Sequence, residues 1–199
     1  MKGWRVKRER PEERVGDAEE YYAGEGCRYV KSNALRRIQR ELTMRALMLL
    51  LPPLKARVLD AGCGNGFSME VLREAGYRKI KGFDISPEMI AEAKKKKFDV
   101  KVGDLRKIPF PARSFDVIIS ISALQWVKPE GMPSVAREFR RVLAPGGHAV
   151  VQFYPKSEED LMYAARCFKH ADLKTAMITE NADNPRKRRV FLLLSQPKK

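Results

Sequence analysis

The chain has 199 residues, 44% apolar and 33% charged, and carries a formal net charge of +15. That length suits one folded domain with a sizeable core, and no apolar run approaches the roughly 20 residues that cross a bilayer. Cys27, Cys63 and Cys167 form neither a C-x-x-C pair nor an even framework, which argues against disulfide staples and a structural zinc.

Residues 1–14 are charged throughout and lack the apolar stretch of a signal peptide. A soluble cytoplasmic protein is expected. The basic excess is spread along the chain rather than parked in a tail, and such a body suits an anionic partner, most simply nucleic acid. The competing explanation is a solvated, salt-rich surface of the kind found in heat-adapted proteins.

Turn signals at Pro11 and Gly16 precede an aromatic cluster of Tyr21, Tyr22 and Tyr29 around Gly24 and Gly26, with Arg28 beside it. Ser32 then reads as the N-cap of a helix from about Asn33 to Leu51. Leu35, Ile38, Leu42, Ala46, Leu49 and Leu50 recur along it at three- and four-residue spacing. Arg36, Arg37, Arg40 and Arg45 fill the other positions, either as a solvent face or as phosphate contacts. Pro52-Pro53 stops the helix. Residues 1–53 are therefore expected as an N-terminal helical extension, and 54–199 as the main domain.

From Arg57 strands and helices alternate. Strands are expected at Arg57–Ala61, Lys79–Asp84, Phe98–Gly103, Phe115–Ile121 and His148–Tyr154. Helices lie between them at Phe67–Ala75, from Pro87, and at about Pro133–Leu143, the last ended by Pro145-Gly146-Gly147. The run Lys94–Lys97 reads as a solvated helix end, where cations are favourable. A helix at Glu158–His170 leads to two last strands, Leu173–Thr179 and Val190–Ser195, around a basic turn of Arg186, Lys187, Arg188 and Arg189. Alternation predicts an α/β fold with a doubly wound, mainly parallel seven-stranded sheet. The last two strands have no helix between them and should pair antiparallel.

The organising stretch is Val58-Leu59-Asp60-Ala61-Gly62-Cys63-Gly64-Asn65-Gly66: a strand, an acid, three alternating glycines, then a helix. Such a loop lets a ligand lie against bare backbone N–H groups. Its G-x-G-x-G spacing departs from the G-x-G-x-x-G dinucleotide fingerprint. Cys63 inside it reads as packing rather than as a nucleophile. Three acids, Asp60, Asp84 and Asp104, close the first three strands at the carboxyl edge, where open α/β sheets bind ligands. An acid in the position of Asp84 takes both hydroxyls of a ribose. One in the position of Asp104 accepts from an adenine amino group, with Ile85 and Leu105 against the ring.

This constellation resembles the cofactor site of class I S-adenosylmethionine (SAM) methyltransferases, with a Rossmann-like fold. The resemblance implies Asp60, Gly62, Cys63, Gly64 and Gly66 at the methionine end, Asp84 and Ile85 at the ribose, Asp104 and Leu105 at adenine, and Ser120 on the fourth strand. A dehydrogenase would also use Asp84, but it leaves Asp60, Asp104 and the paired last strands unexplained.

After the fourth strand comes Ile119-Ser120-Ile121-Ser122-Ala123-Leu124-Gln125-Trp126, without the Asn/Asp-Pro-Pro-Tyr/Phe motif of adenine and cytosine amino methylation or the Pro-Cys of cytosine C5 chemistry. No metal-ligand cluster supports a catechol-type reaction. That segment and Gln152-Phe153-Tyr154-Pro155 resemble the eukaryotic guanine-N7 methyltransferases of small-subunit ribosomal RNA. Tyr21, Tyr29, Ile38-Gln39, Arg45-Ala46-Leu47, Asp84-Ile85-Ser86-Pro87 and Ile108-Pro109-Phe110 extend the likeness over nearly the whole chain. It implies ribosomal RNA, or a pre-ribosomal particle, as partner. Gln125, Trp126 and Tyr154 become candidates at the reacting base, each with a plainer alternative as helix cap, core or pocket wall. His148 and His170 read as surface residues. The family's basic C-terminal tail has no counterpart before Lys199, so tail-dependent docking is not carried over. The family also implies a small zinc-binding activator protein that continues the sheet. The edge strand at 98–103, where Phe98, Val100 and Val102 alternate with Asp99 and Lys101, is the place for it. A small-molecule methyltransferase of the quinone-biosynthesis type and a SAM-binding ribosome-assembly factor are the competing readings.

Overall fold

Local signals in the chain set most element boundaries in the computed structural model, which describes Trp4 and residues 10–15, 18–22 and 32–198. Gly24, Gly26, Cys27, Arg28 and Tyr29 lie outside the described residues. A short turn of helix, α1 (Pro11–Arg14), precedes α2 (Asn33–Leu50), and residues 18–22 between them are also helical. Ser32 caps α2 as its position predicts, its Oγ accepting the Leu35 N–H at 3.3 Å. Leu51 ends it with φ of 45°.

Seven strands follow: β1 (Val58–Ala61), β2 (Ile80–Asp84), β3 (Asp99–Val102), β4 (Phe115–Ile121), β5 (Leu143–Phe153), β6 (Lys174–Glu180) and β7 (Arg189–Ser195). The helices among them are α3 (Phe67–Glu74), α4 (Pro87–Lys95), α5 (Met132–Val142) and α6 (Glu158–His170). Sheet order is β3-β2-β1-β4-β5-β7-β6. All pairs from β3 to β5 are parallel, and β7 runs antiparallel to both β5 and β6. This is the mainly parallel sheet with an antiparallel last strand that the alternation predicts.

Helices cover both faces. One core cluster packs Phe139 of α5 and Phe168 of α6 on Leu59, Ile118, Ala149 and Leu192. The other packs Leu42, Ala46 and Leu47 of α2, with Leu72, on Val58, Ile119, Val150 and Phe191. Burying Leu42 and Leu47 is worth about 1.5–3 kcal/mol each, so α2 is part of the core. Its arginines are taken by the protein's own carboxylates: Arg36 with Glu70, Arg37 with Glu41, Arg40 with Glu74 and Arg45 with Glu180.

The fifth strand departs from expectation. It begins at Leu143, directly after α5, rather than at His148. Leu143 pairs with Phe115 but His148 already pairs with Val117, so the residues between loop outward. The excursion requires glycine: a Cβ on Gly147 would lie 2.8 Å from the Ala144 carbonyl oxygen and 3.0 Å from that of Asp116. Among the described residues no helix is long and apolar enough to cross a membrane. His148 and His170 are exposed.

Candidate active site

The carboxyl ends of β1, β2 and β4 surround a cavity of about 320 Å³. Its floor is the glycine loop. Gly62, Gly64 and Gly66 hold φ of 81°, 51° and 84°, the left-handed region that costs other residues about 1–2 kcal/mol. At Gly62 space is a second constraint, since a Cβ would sit 2.4 Å from that of Ala123. At Gly64 a Cβ would meet nothing within 4 Å, because the residue faces the cavity. Gly66 lies outside the wall: it starts α3 and lets the Phe98 ring approach to 2.9 Å of where a Cβ would be.

Asp84 ties the loop to β2. Its Oδ2 accepts the Gly64 N–H at 2.8 Å and its Oδ1 accepts the Ser86 N–H at 3.0 Å. Burial pushes its carboxyl up, and the N–H groups of Ser86, Gly64 and Ile85 pull the other way. Each oxygen keeps a lone pair for a diol in the cavity. Ile85 and Leu105 line the apolar side.

Asp60 is fully buried behind the wall. Its Oδ2 accepts a 2.5 Å hydrogen bond from Ser68, which does line the cavity, while its Oδ1 has no partner among the described residues. Burial pushes its carboxyl up to about 7, against the Ser68 bond. Asp104 lines the cavity, but Arg106 closes around it: Nε reaches Oδ1 at 3.0 Å and Oδ2 at 2.9 Å, and Nη2 also bonds Oδ2. Burial raises the Asp104 carboxyl and Arg106 more than reverses this, leaving it low and ionised. Cys63 is in the wall, and burial pushes its thiol well up, so it is no thiolate nucleophile.

The opposite side of the cavity is built by the residues after β4. Trp126 sits in a turn of 3₁₀ helix (Leu124–Trp126) and lines the cavity. Tyr21 and Tyr22, from far earlier in the chain, pack on its ring with centroids 5.3 and 6.0 Å away. Arg10 donates to the Tyr154 carbonyl at 2.7 Å and helps anchor the N-terminal segment. Gln125 and Tyr154 stand one layer back. Gln125 Nε2 caps the Ser122 carbonyl at 2.8 Å, its Oε1 buried without a partner. Burial pushes the Tyr154 phenol up, moderated by its bond to Ser122 and the nearby charge of Arg189. Ser120 is turned away: its hydroxyl donates to the Ala61 carbonyl at 2.8 Å, and it is fully buried between β4 and β1.

Several wall residues were not among the expected site residues, Ser122, Ser68, Gln39 and Asn65 among them. Ser122 holds φ of 57° and donates to Gln152 Oε1 at 2.9 Å; nothing in a strand end announces this. Ser68 and Gln39 read as ordinary helix positions. Asn65 was legible as part of the loop, and it presents a buried Nδ2 with no partner in a wall built for a ligand. That orphaned donor, the glycine floor, the spare lone pairs of Asp84 and the Ile85–Leu105 side together fit SAM. Among the described residues no cluster of His, Cys, Asp and Glu is placed to hold a metal.

A doubly wound sheet with this loop and acid at its carboxyl edge defines a class I SAM-dependent methyltransferase. Residues 59–151 match the family model described as a methyltransferase domain. A Bos taurus 18S rRNA (guanine-N(7))-methyltransferase is 34% identical over 93% of this chain and 70% of its own length. Its Saccharomyces cerevisiae counterpart is 33% identical, over 88% and 68%. The chain belongs to this family of 18S rRNA (guanine-N(7))-methyltransferases. The fold is shared with a Pyrococcus horikoshii protein of known structure, with a TM-score of 0.72 at 22% identity over 91% of this chain and all of that one.

Proposed function

We propose that the protein methylates N7 of a guanine in small-subunit ribosomal RNA. The observation that carries this reading is the aromatic wall of Trp126 and Tyr22, backed by Tyr21, which shares one cavity with the glycine loop. A flat ring there offers a face against which an unstacked base can lie. Family membership supplies the base and the atom.

Bound SAM supplies an electrophilic methyl on a sulfonium. A guanine N7 lone pair held in line with that methyl would accept it, the S–C bonding pair leaving on the thioether sulfur. N7 carries no proton at neutral pH, so no general base is needed, and rate comes from alignment and exclusion of water. In this reading Trp126 holds the base plane. Gln125 and Tyr154 act from behind Ser122 as positioning residues, and Asn65 and Asp84 hold the cofactor. Mapping N7-methylguanosine in ribosomal RNA with and without the protein tests it, and an unchanged map defeats it.

The same reading places the activity in the cytoplasm and gives the β3 edge a partner, a small zinc-binding activator protein. Among the described residues β3 pairs only with β2, and Val102 is half exposed there while Val100 is buried. Open strand edges invite an added strand. Co-expression with a candidate activator should raise solubility and SAM affinity, and failure to form a complex sinks this part.

A further inference from the structure

The turn between β6 and β7 is a strongly basic stretch that the cofactor site leaves unused. Residues 181–189 read NADNPRKRR, with four cations against the single acid Asp183. Because β7 runs antiparallel to β5, with Val190 opposite Phe153, the turn stands at the carboxyl edge of the sheet, the edge that holds the cavity.

The turn is built rather than loose. Asn181 Nδ2 donates to the Lys187 carbonyl at 3.2 Å, Asn184 Oδ1 accepts the Arg186 N–H at 3.1 Å, and the Lys187 N–H donates to the Asn184 carbonyl at 3.0 Å. Two of its cations are spent on structure. Arg188 bonds the Ala182 carbonyl and lies over the Trp4 ring at 4.4 Å, and Arg189 pairs with Glu41 at 2.7 Å. The side chains of Arg186 and Lys187 are exposed and pair with no carboxylate among the described residues. Two further cations stand at this edge, among the carboxylates of Glu130, Glu158, Glu159 and Asp160. Lys156 follows β5 by three residues, Lys128 lines the cavity, and both are exposed.

A rigid turn holding two unneutralised cations level with the acceptor pocket suits a polyanion that extends beyond the pocket. We infer that Arg186 and Lys187 are a docking point for the phosphodiester backbone of the substrate RNA, flanking the nucleotide presented to Trp126. This rests on the ribosomal RNA reading. Phosphate contacts of this kind set register and affinity without reading sequence.

The test is R186A/K187A in the full chain, assayed for methylation of deproteinised small-subunit ribosomal RNA across a salt series. KM for RNA should rise about tenfold with kcat and SAM affinity unchanged, and the slope of log affinity against log salt should shrink by about 1.5 for two lost phosphate contacts. The control is R113A/R137A, at the opposite, amino edge of the sheet, which removes equal charge and should leave KM near wild type. An unchanged KM and salt slope in R186A/K187A, an equal loss in the control, or a loss seen on ribosomal particles but not on bare RNA overturns this inference alone. A wild-type protein that neither binds nor methylates ribosomal RNA overturns the parent reading with it.

Discussion

The Gly64 N–H donates to Asp84 Oδ2 at 2.8 Å, so the glycine loop after β1 and the acid ending β2 form one hydrogen-bonded unit. The loop is held in shape by the same carboxylate that faces the cavity. Asp84→Asn keeps the size and removes the charge. SAM affinity should fall about 10- to 100-fold, the equivalent of one or two charge-assisted hydrogen bonds at about 1.5–3 kcal/mol, with the fold retained. Titration calorimetry reads this, and an affinity within twofold of wild type removes Asp84 from the cofactor site. Asp84→Ala should also lower the melting temperature, because the Gly64 and Ser86 N–H groups lose their acceptor.

Two glycines in that loop should respond differently to a single methyl group. Gly62→Ala meets Ala123 at 2.4 Å and is strained at φ of 81°. It should cost about 3 kcal/mol or more in stability, from overpacking plus backbone strain. Gly64→Ala bears the strain alone, about 1–2 kcal/mol, but directs its methyl into the cavity. It should stay folded and lose SAM binding. Denaturant melts beside binding curves separate the two, and equal destabilisation contradicts the geometry.

Asp60 makes stability depend on pH in an unusual direction. Its carboxyl is pushed up to about 7 in the folded chain, against about 3.9 when unfolded. Between those values the native state holds the proton more tightly, so its contribution to stability falls as pH rises from about 4 to about 7 and then levels. Asp60→Asn, which still offers an oxygen to Ser68, should remove that part of the slope. Urea midpoints between pH 5 and 8 measure it. Wild type and variant running parallel rule out a neutral Asp60.

Trp126 joins the wall of the cavity to residues 18–22. Trp126→Ala removes two ring contacts worth about 0.5–1.5 kcal/mol each beyond their buried area. Limited proteolysis should then cut near Tyr21 and Tyr22 faster than in wild type, while Trp126→Phe stays close to it. Methyl transfer should drop in step with exposure of that segment. A Trp126→Ala protein with wild-type transfer and an uncut N-terminal segment contradicts the assigned wall.

The strand–glycine–helix order, the three acids in register and the antiparallel β7 were all present in the sequence. They depend on neighbours a few residues away: an apolar run, a cap at Ser32, a positive φ that glycine permits. Tertiary structure decided what those residues face. Asp104 sits in the cavity as expected, yet Arg106 occupies its carboxylate, and only the folded path of 104–107 brings the two together. Ser120 and Ser122 are two apart in one motif; one bonds the neighbouring strand and the other lines the cavity, because the chain leaves the sheet and turns to φ of 57° between them and Trp126. Tyr22 meets Trp126 across a hundred residues, a contact that no local periodicity encodes. Local sequence thus determined the cofactor loop and the sheet, since backbone conformation answers to near neighbours. The aromatic wall of the cavity was decided by long-range packing, since its rings come from residues about a hundred positions apart in the chain.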